Sequence, residues 1–481
     1  MRYVDQDLLS IQEARVLIEK STDAQNSLNY YSQKHIDVVL EKIVNEMKKC
    51  YSDWIILNHE ATQIGKINDE VELAKELFQF FDMYQDDTYI GSCIDEDTKQ
   101  VMKQGVPAGG IIAMIPPVNT VLNVMYAIFC AVKTGNTITL IPHQRNVKNI
   151  GVIVNKLNEI AQDNGFPSSA ILYMQNVSEE GIQELVTYSS NRIILNIGCT
   201  SYMNDICMKN KISYYASVGQ SPVFIEQTAN ITETVKQIVE SRSYNNGILP
   251  SAEQFVVVEE CIVNKVKEEL KNNGAYFMTS DEEKKLMDYI QPENNFNEIG
   301  YMGKSPEDLA NSAGFKVPKD TKVLVSSQKY IYDENEYVNE IFAPVLIVYE
   351  EPNWLTSCQK CIELLESNRR GHTLAIHSND AFVIKEFISK KPVGRIVVNA
   401  PASFASLGIH SEITKSFFVG GGTTGFGTII KNIIPEDFVY YREVGYGTTP
   451  TETKTVTSNE NQKDIDELSE ALLKFLNKLN K

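Results

Sequence analysis

Basic residues are scarce in this chain: Lys and Arg number 45 against 63 Asp and Glu, for a formal net charge of −18 and a pI near 4.9. Such a balance argues against nucleic acid and anionic membrane surfaces as partners. The acidic residues are dispersed, so their plain role is solubility. Cysteine is sparse as well. Eight in 481 residues cannot form a disulfide framework, which fits a reducing cytoplasm. Cys358 and Cys361 have CxxC spacing but fall inside a helical pattern over 354–368. With no second pair nearby they read as two ordinary helix cysteines, and no metal site is expected. Long apolar runs are missing too. The start, Met1-Arg2-Tyr3-Val4-Asp5, is polar and no apolar h-region follows it. The most apolar window, Gly109 to Val132, is broken by Pro116-Pro117 and Asn119, and reads as a strand followed by a helix.

What is present is a core. A hydrophobic content of 43% over this length predicts more than one domain. Residues 8–85 read as helical, with Ile36, Val39, Leu40, Ile43, Val44 and Met47 forming a stripe behind Ser32. Residues 86–107 suggest a strand pair. From 110 the pattern alternates: strands at 110–115, 137–141, 170–174 and 192–196 are separated by helices at 119–133, 147–164 and 178–189. A second series of strands follows at 254–259, 322–326, 345–349, 373–377 and 395–399. Alternation of this kind predicts doubly wound α/β domains with parallel sheets, and helix 229–243 is the expected hinge between them. The end differs. Residues 448–461 are polar and read as a flexible linker. Beyond them Ile465, Leu468, Leu472, Phe475, Leu476 and Leu479 share one helical face, which needs a partner surface. That surface is either the chain's own oligomer or, the favoured reading, a separate docking partner.

Tyr244-Asn245-Asn246-Gly247-Ile248-Leu249-Pro250-Ser251-Ala252-Glu253-Gln254 resembles the nucleophile loop of CoA-acylating aldehyde dehydrogenases, Phe-Asp-Asn-Gly-Val-Ile-Cys-Ala-Ser-Glu-Gln. The resemblance extends from about residue 31 to 440. It is nearest to acetaldehyde and propionaldehyde dehydrogenases, including those of bacterial microcompartments. It implies an aldehyde dehydrogenase-like α/β fold of two doubly wound domains, with an oligomerisation β-hairpin and a tethered C-terminal helix. The implied divisions are a nucleotide-binding domain over 1–242, containing the hairpin at 86–107, and a catalytic-type domain over 243–432. An oligomerisation strand at 433–447, the linker at 448–461 and a docking helix at 462–481 follow. The implied reaction converts aldehyde, CoA and NAD (or NADP) to acyl-CoA and reduced cofactor.

The same resemblance assigns site residues. Asn119 takes the place of the oxyanion donor, although it also suits a helix N-cap. Pro142, His143 and Arg145 match a segment lining the adenosine end of the cofactor cleft. Gly198, in Ile197-Gly198-Cys199-Thr200, and Gly219, in Tyr215-Ala216-Ser217-Val218-Gly219-Gln220, occupy glycine turns of that cleft. Both turns have fewer small residues than the family pattern. Ala216 stands where hydrolytic relatives carry a glutamate base, which fits CoA as acyl acceptor. Glu340 and Phe342, in Asn339-Glu340-Ile341-Phe342-Ala343-Pro344, mark the nicotinamide ribose contact. His372 lies either near the reacting groups or in a structural role. Gly420 to Gly427 contains GxGxxG but opens no βαβ unit, and resembles the family's glycine-rich C-terminal loop.

The loop lacks its nucleophile. The family's cysteine attacks the aldehyde, passes hydride to NAD and is released by CoA. Pro250 occupies that place with neither a thiol nor a backbone N–H. Ser251 has no evident base, and Cys199 and Cys261 are not suitably placed. The expectation is a catalytically impaired homologue in the cytoplasm, housed in a microcompartment as a homo-oligomeric pseudo-enzyme. Shell proteins or a paralogous enzyme would be its partners through 462–481. The alternatives are an active enzyme with an unusual loop, taking a small aldehyde or acyl-CoA, and a purely structural assembly protein.

Overall fold

The computed structural model describes residues 5–95, 97–188, 193–198, 213–216, 219, 221–290, 300–331, 340–366, 372–422 and 428–447. The chain divides into two compact units, residues 1–442 and 443–481. The tail expected to dock, 462–481, and its linker lie outside the described residues, as do residues 423–427 of the glycine-rich loop.

Two parallel sheets organise the first unit. The five-stranded sheet runs in the order Ile171–Tyr173, Ile138–Pro142, Ile111–Ile115, Ile193–Asn196, Ser213–Tyr215. Its central strands are buried along their whole length, as expected where helices cover both faces. The seven-stranded sheet runs Ala275–Phe277, Val323–Gln328, Val345–Glu351, Glu253–Glu259, Ser221–Ile225, Thr373–His377, Arg395–Val398. Period-two alternation distributes its side chains. Phe224, Phe255, Val257, Ile347 and Tyr349 enter one apolar cluster, and Val223, Ile225, Val256, Val258 and Val348 another.

One expectation is corrected. Helix Ile231–Ser243 is not a hinge between domains. The strand before it, Ser221–Ile225, pairs in parallel with both Glu253–Glu259 and Thr373–His377, so this helix is a crossover within the second sheet. The chain passes from one sheet to the other between Tyr215 and Ser221, upstream of the expected boundary at 242. Pro222 disguises this strand in the sequence. It is tolerated because the register shifts between Ser221 and Pro222, a position where a missing ladder donor costs little.

Helix Gln33–Thr62 buries Ile36, Val39, Leu40, Ile43 and Met47 in a core shared with helix Thr120–Lys133. All 14 residues of the latter are buried. Its Lys133 ammonium is accommodated by Asp37 Oδ1 at 2.8 Å and the Gln85 carbonyl at 2.5 Å, as a buried charge requires. Gly91–Ile94 and Val101–Pro107 form the expected hairpin, and Val439–Glu443 completes a three-stranded sheet with them. No described helix is long and apolar enough to cross a membrane.

Candidate active site

The candidate residues are far apart in sequence, and several of them meet because each sits at a strand end. Asn119, His143, Arg145 and Gly198 follow the carboxyl ends of strands in the five-stranded sheet, where open α/β sheets place ligands. Pro250, Glu340, Phe342 and His372 precede the amino ends of neighbouring strands in the seven-stranded sheet. A narrow cavity of about 20 Å³ is lined by Asn119, Gly198, Ala216, Pro250, Glu340 and Phe342, together with Ile248 and Phe417. That volume accepts about one water molecule.

The loop bearing Pro250 is held in an uncommon backbone shape. Asn245, Asn246, Gly247 and Ser251 have φ of 46°, 52°, 74° and 64°. Asparagine and glycine tolerate this left-handed region better than other residues. Side-chain bonds offset the remaining strain. Asn245 Oδ1 accepts from the Lys66 N–H at 2.5 Å, and its Nδ2 donates to Glu70 Oε1 at 3.3 Å and Asn119 Oδ1 at 3.1 Å. Asn246 Nδ2 donates to the Gly303 carbonyl at 2.7 Å. Buried Arg242 donates to the carbonyls of Val345 at 2.9 Å, Ile341 at 2.5 Å and Ala252 at 3.3 Å. Gln254 Oε1 accepts from the Ile341 N–H at 2.8 Å. The Pro250 loop and the Glu340–Pro344 segment are thereby locked together.

Asn119 occupies the N-cap position of helix Thr120–Lys133 with φ 47°, yet its side chain makes no capping bond. Its amide instead donates to the Ile248 carbonyl at 2.7 Å, two residues before Pro250. One of its two N–H groups is thus spent on the loop itself.

His372 does not line the cavity. It is fully buried behind it, with Nδ1 2.7 Å from Thr373 Oγ1 and 3.4 Å from Ser251 Oγ. Burial, followed by the nearby Arg395 guanidinium, holds its pKa well below the ordinary range, while the Gly219 backbone acts weakly the other way. The imidazole is neutral near pH 7. Ser251 was expected to lack a base; His372 is in fact beside it. Both side chains nevertheless lie outside the cavity, and Thr373 already engages Nδ1. Gly219 is buried as well, its backbone in hydrogen-bond contact with the His372 ring.

Pro142 ends its strand, and the His143 ring caps a short turn by accepting from the Arg145 N–H at 3.3 Å. Burial and Arg145 lower the His143 pKa. These residues do not line the cavity, and Arg145 is exposed. Gly198 has φ 65°, which suits a backbone turning toward a ligand; residues 199–212, including Cys199, lie outside the described residues. Cys261 follows the far end of strand Glu253–Glu259, roughly 20 Å from Pro250 at about 3.3 Å per residue. Among the described residues no cysteine lines the cavity.

Sequence reasoning missed three buried polar groups behind the loop. Glu70 has its carboxyl pushed up to about 7 by burial. Burial raises Glu253 to about 7 in the same way, and lowers Arg242 to about 10 against the pull of Glu340 and Glu253. Only the Asn-Asn-Gly triplet, a turn signal, hinted at this support.

Comparison with known proteins agrees with this geometry. Residues 8–302 match the model of the aldehyde dehydrogenase family. An aldehyde-alcohol dehydrogenase of Clostridium acetobutylicum is 28% identical over 88% of this chain and 49% of its own length, so the chain spans about half of that relative. A probable aldehyde dehydrogenase from Listeria monocytogenes superposes with a TM-score of 0.86 at 31% identity, covering 93% of this chain and 99% of that one. An acetylating aldehyde dehydrogenase from Geobacillus thermoglucosidasius gives 0.84 at 28% identity, covering 94% and 100%. With the family model matched over more than half of its residues, the chain belongs to the aldehyde dehydrogenase family.

Proposed function

We propose that this chain is a homologue of the NAD-dependent, CoA-acylating aldehyde dehydrogenases whose covalent chemistry is impaired, acting as a pseudo-enzyme subunit in a microcompartment. One observation carries the reading: Pro250, at the loop position that needs a thiol, lines the same cavity as Asn119. A thioester cannot form there, and the amide that would help hold the oxyanion is missing from the ring nitrogen.

The residues around the cleft still fit a dinucleotide. Glu340 reaches the cavity, Gly198 has positive φ at a strand's carboxyl end, and Arg145 is exposed beside His143. When bound, NAD supplies the hydride acceptor and CoA the acyl acceptor. The chain's part is to seat them, with Ala216 leaving no carboxylate to activate water. The three-stranded sheet, which exposes Ile94, Met102 and Tyr440, supports a homo-oligomer. The amphipathic pattern of 462–481 supports docking to a shell or to a paralogous enzyme.

The test is oxidation of NADH with acetyl-CoA or propionyl-CoA, run on the wild type and on Pro250→Cys. The reading expects the wild type to be slower by on the order of 10⁴-fold or more. Comparable turnover by the two proteins would overturn it. The proximity of Ser251 and His372 favours a second reading, residual acyl chemistry at the serine. That reading requires wild-type turnover that Ser251→Ala abolishes.

A further inference from the structure

Helix Trp354–Glu366 carries Cys358 and, one turn on, Cys361, both buried. Helix Ala381–Ser389 ends nearby, and Lys391, two residues beyond it, turns its amine back onto the first helix. Lys391 Nζ lies 2.7 Å from Cys358 Sγ, 3.2 Å from the Cys358 carbonyl oxygen and 4.4 Å from the centre of the Phe387 ring. The nitrogen–sulfur distance is the informative one. Sulfur is larger than oxygen, so an N–H···S contact stays beyond the roughly 2.9–3.0 Å typical of N–H···O. A direct N–S bond would be much shorter. The amine and the sulfur are therefore in direct contact, near enough for one oxygen atom to bridge them. The carbonyl and the ring face hold the amine in place, and Lys391 is half-buried, within reach of a small oxidant.

We propose that Cys358 and Lys391 are a redox cross-linking pair, joined by an N–O–S bridge under peroxide and reopened by thiols. The first hydrogen peroxide oxidises the thiol to a sulfenic acid: its O–O bond breaks, an S–O bond forms and one water leaves. A second peroxide accepts two more electrons as the N–O bond forms between Nζ and the sulfenic oxygen. The proton from the free amine and the proton from the sulfenic O–H leave with its oxygens as two waters. One thiol, one amine and two peroxides thus give one bridge and three waters.

The bridge would tie the helix that precedes His372 to the segment that enters strand Arg395–Val398. Arg395 donates to the His372 carbonyl at 3.0 Å and to Thr373 Oγ1 at 3.3 Å. Oxidation would therefore stiffen the support behind the active-site cavity.

The experiment exposes the full chain to hydrogen peroxide, removes the excess with catalase, and digests without reductant for mass spectrometry. The expected product is a linked pair of peptides containing Cys358 and Lys391, about 14 Da heavier than the two reduced peptides together. It should disappear with dithiothreitol and be absent from Cys358→Ser and from Lys391→Arg, which keeps the positive charge. The melting midpoint should rise on oxidation in the wild type alone, by roughly 2–6 °C for a closed loop of this length. Three results would overturn the proposal. Cys358 could stop at sulfenic or sulfinic acid with Lys391 unmodified, a Cys358–Cys361 disulfide could form instead, or peroxide could leave both residues unchanged.

Discussion

Replacing Glu253 by glutamine should change how stability depends on pH. Glu253 opens strand Glu253–Glu259 and is fully buried. One carboxyl oxygen accepts from the Ala402 N–H at 2.7 Å. Burial pushes the carboxyl from an ordinary value of 4.5 up to about 7, outweighing the Ser241 hydroxyl, two backbone N–H groups and Arg242, which pull it down. The folded state therefore holds the proton more tightly than the unfolded chain. The stability this contributes is complete below pH 4.5 and is lost as pH rises through 7. The full loss is about 3 kcal/mol, at roughly 1.4 kcal/mol per pH unit separating the two values. Glu253→Gln keeps an oxygen for Ala402 and stays neutral at every pH. Thermal midpoints of the two proteins should differ little at pH 5. By pH 8 the variant should be the more stable, by about 1–3 kcal/mol, or a few degrees. Glu70 and His372 titrate in both proteins and cancel in the comparison. An offset that stays constant from pH 5 to 8, or a wild type that gains on the variant as pH rises, would refute the reasoning.

Gly247→Ala should destabilise the chain by more than about 2 kcal/mol. An added Cβ would lie 2.6 Å from the Ala343 carbonyl oxygen at a φ of 74°, and the melting midpoint reads the loss directly. Removing 448–481 should leave that midpoint unchanged while abolishing co-purification with shell proteins; retained co-purification would assign docking to another surface.

The positions of most strands along the chain were legible because parallel strands buried on both faces read as apolar runs, as in Ile111–Ile115 and Phe255–Val258. The strand Ser221–Ile225 was not, because serine and proline open it and the register shift that tolerates Pro222 is a tertiary feature. The same contrast holds at the site. Six residues singled out by the family resemblance, Asn119, Gly198, Ala216, Pro250, Glu340 and Phe342, line one cavity; motif likeness picked them out, and the alternating pattern alone would not have. His372 sits at a strand end, but which side of the loop its ring faces depends on Thr373 and Ser251, and no spacing rule conveys that. Glu70 follows Asp69 in a helix whose acidic start looks solvated. Its burial against Asn245 could be seen only once the loop had been placed.

The most direct test of the central claim is covalent. Wild type and Pro250→Cys are each incubated with acetyl-CoA without NADH, and intact masses are recorded. The account predicts an adduct of about 42 Da on Pro250→Cys, reversed by added CoA, and no change in the wild type. An acyl adduct on the wild-type chain would contradict it, because another residue would then be doing the work of the missing cysteine.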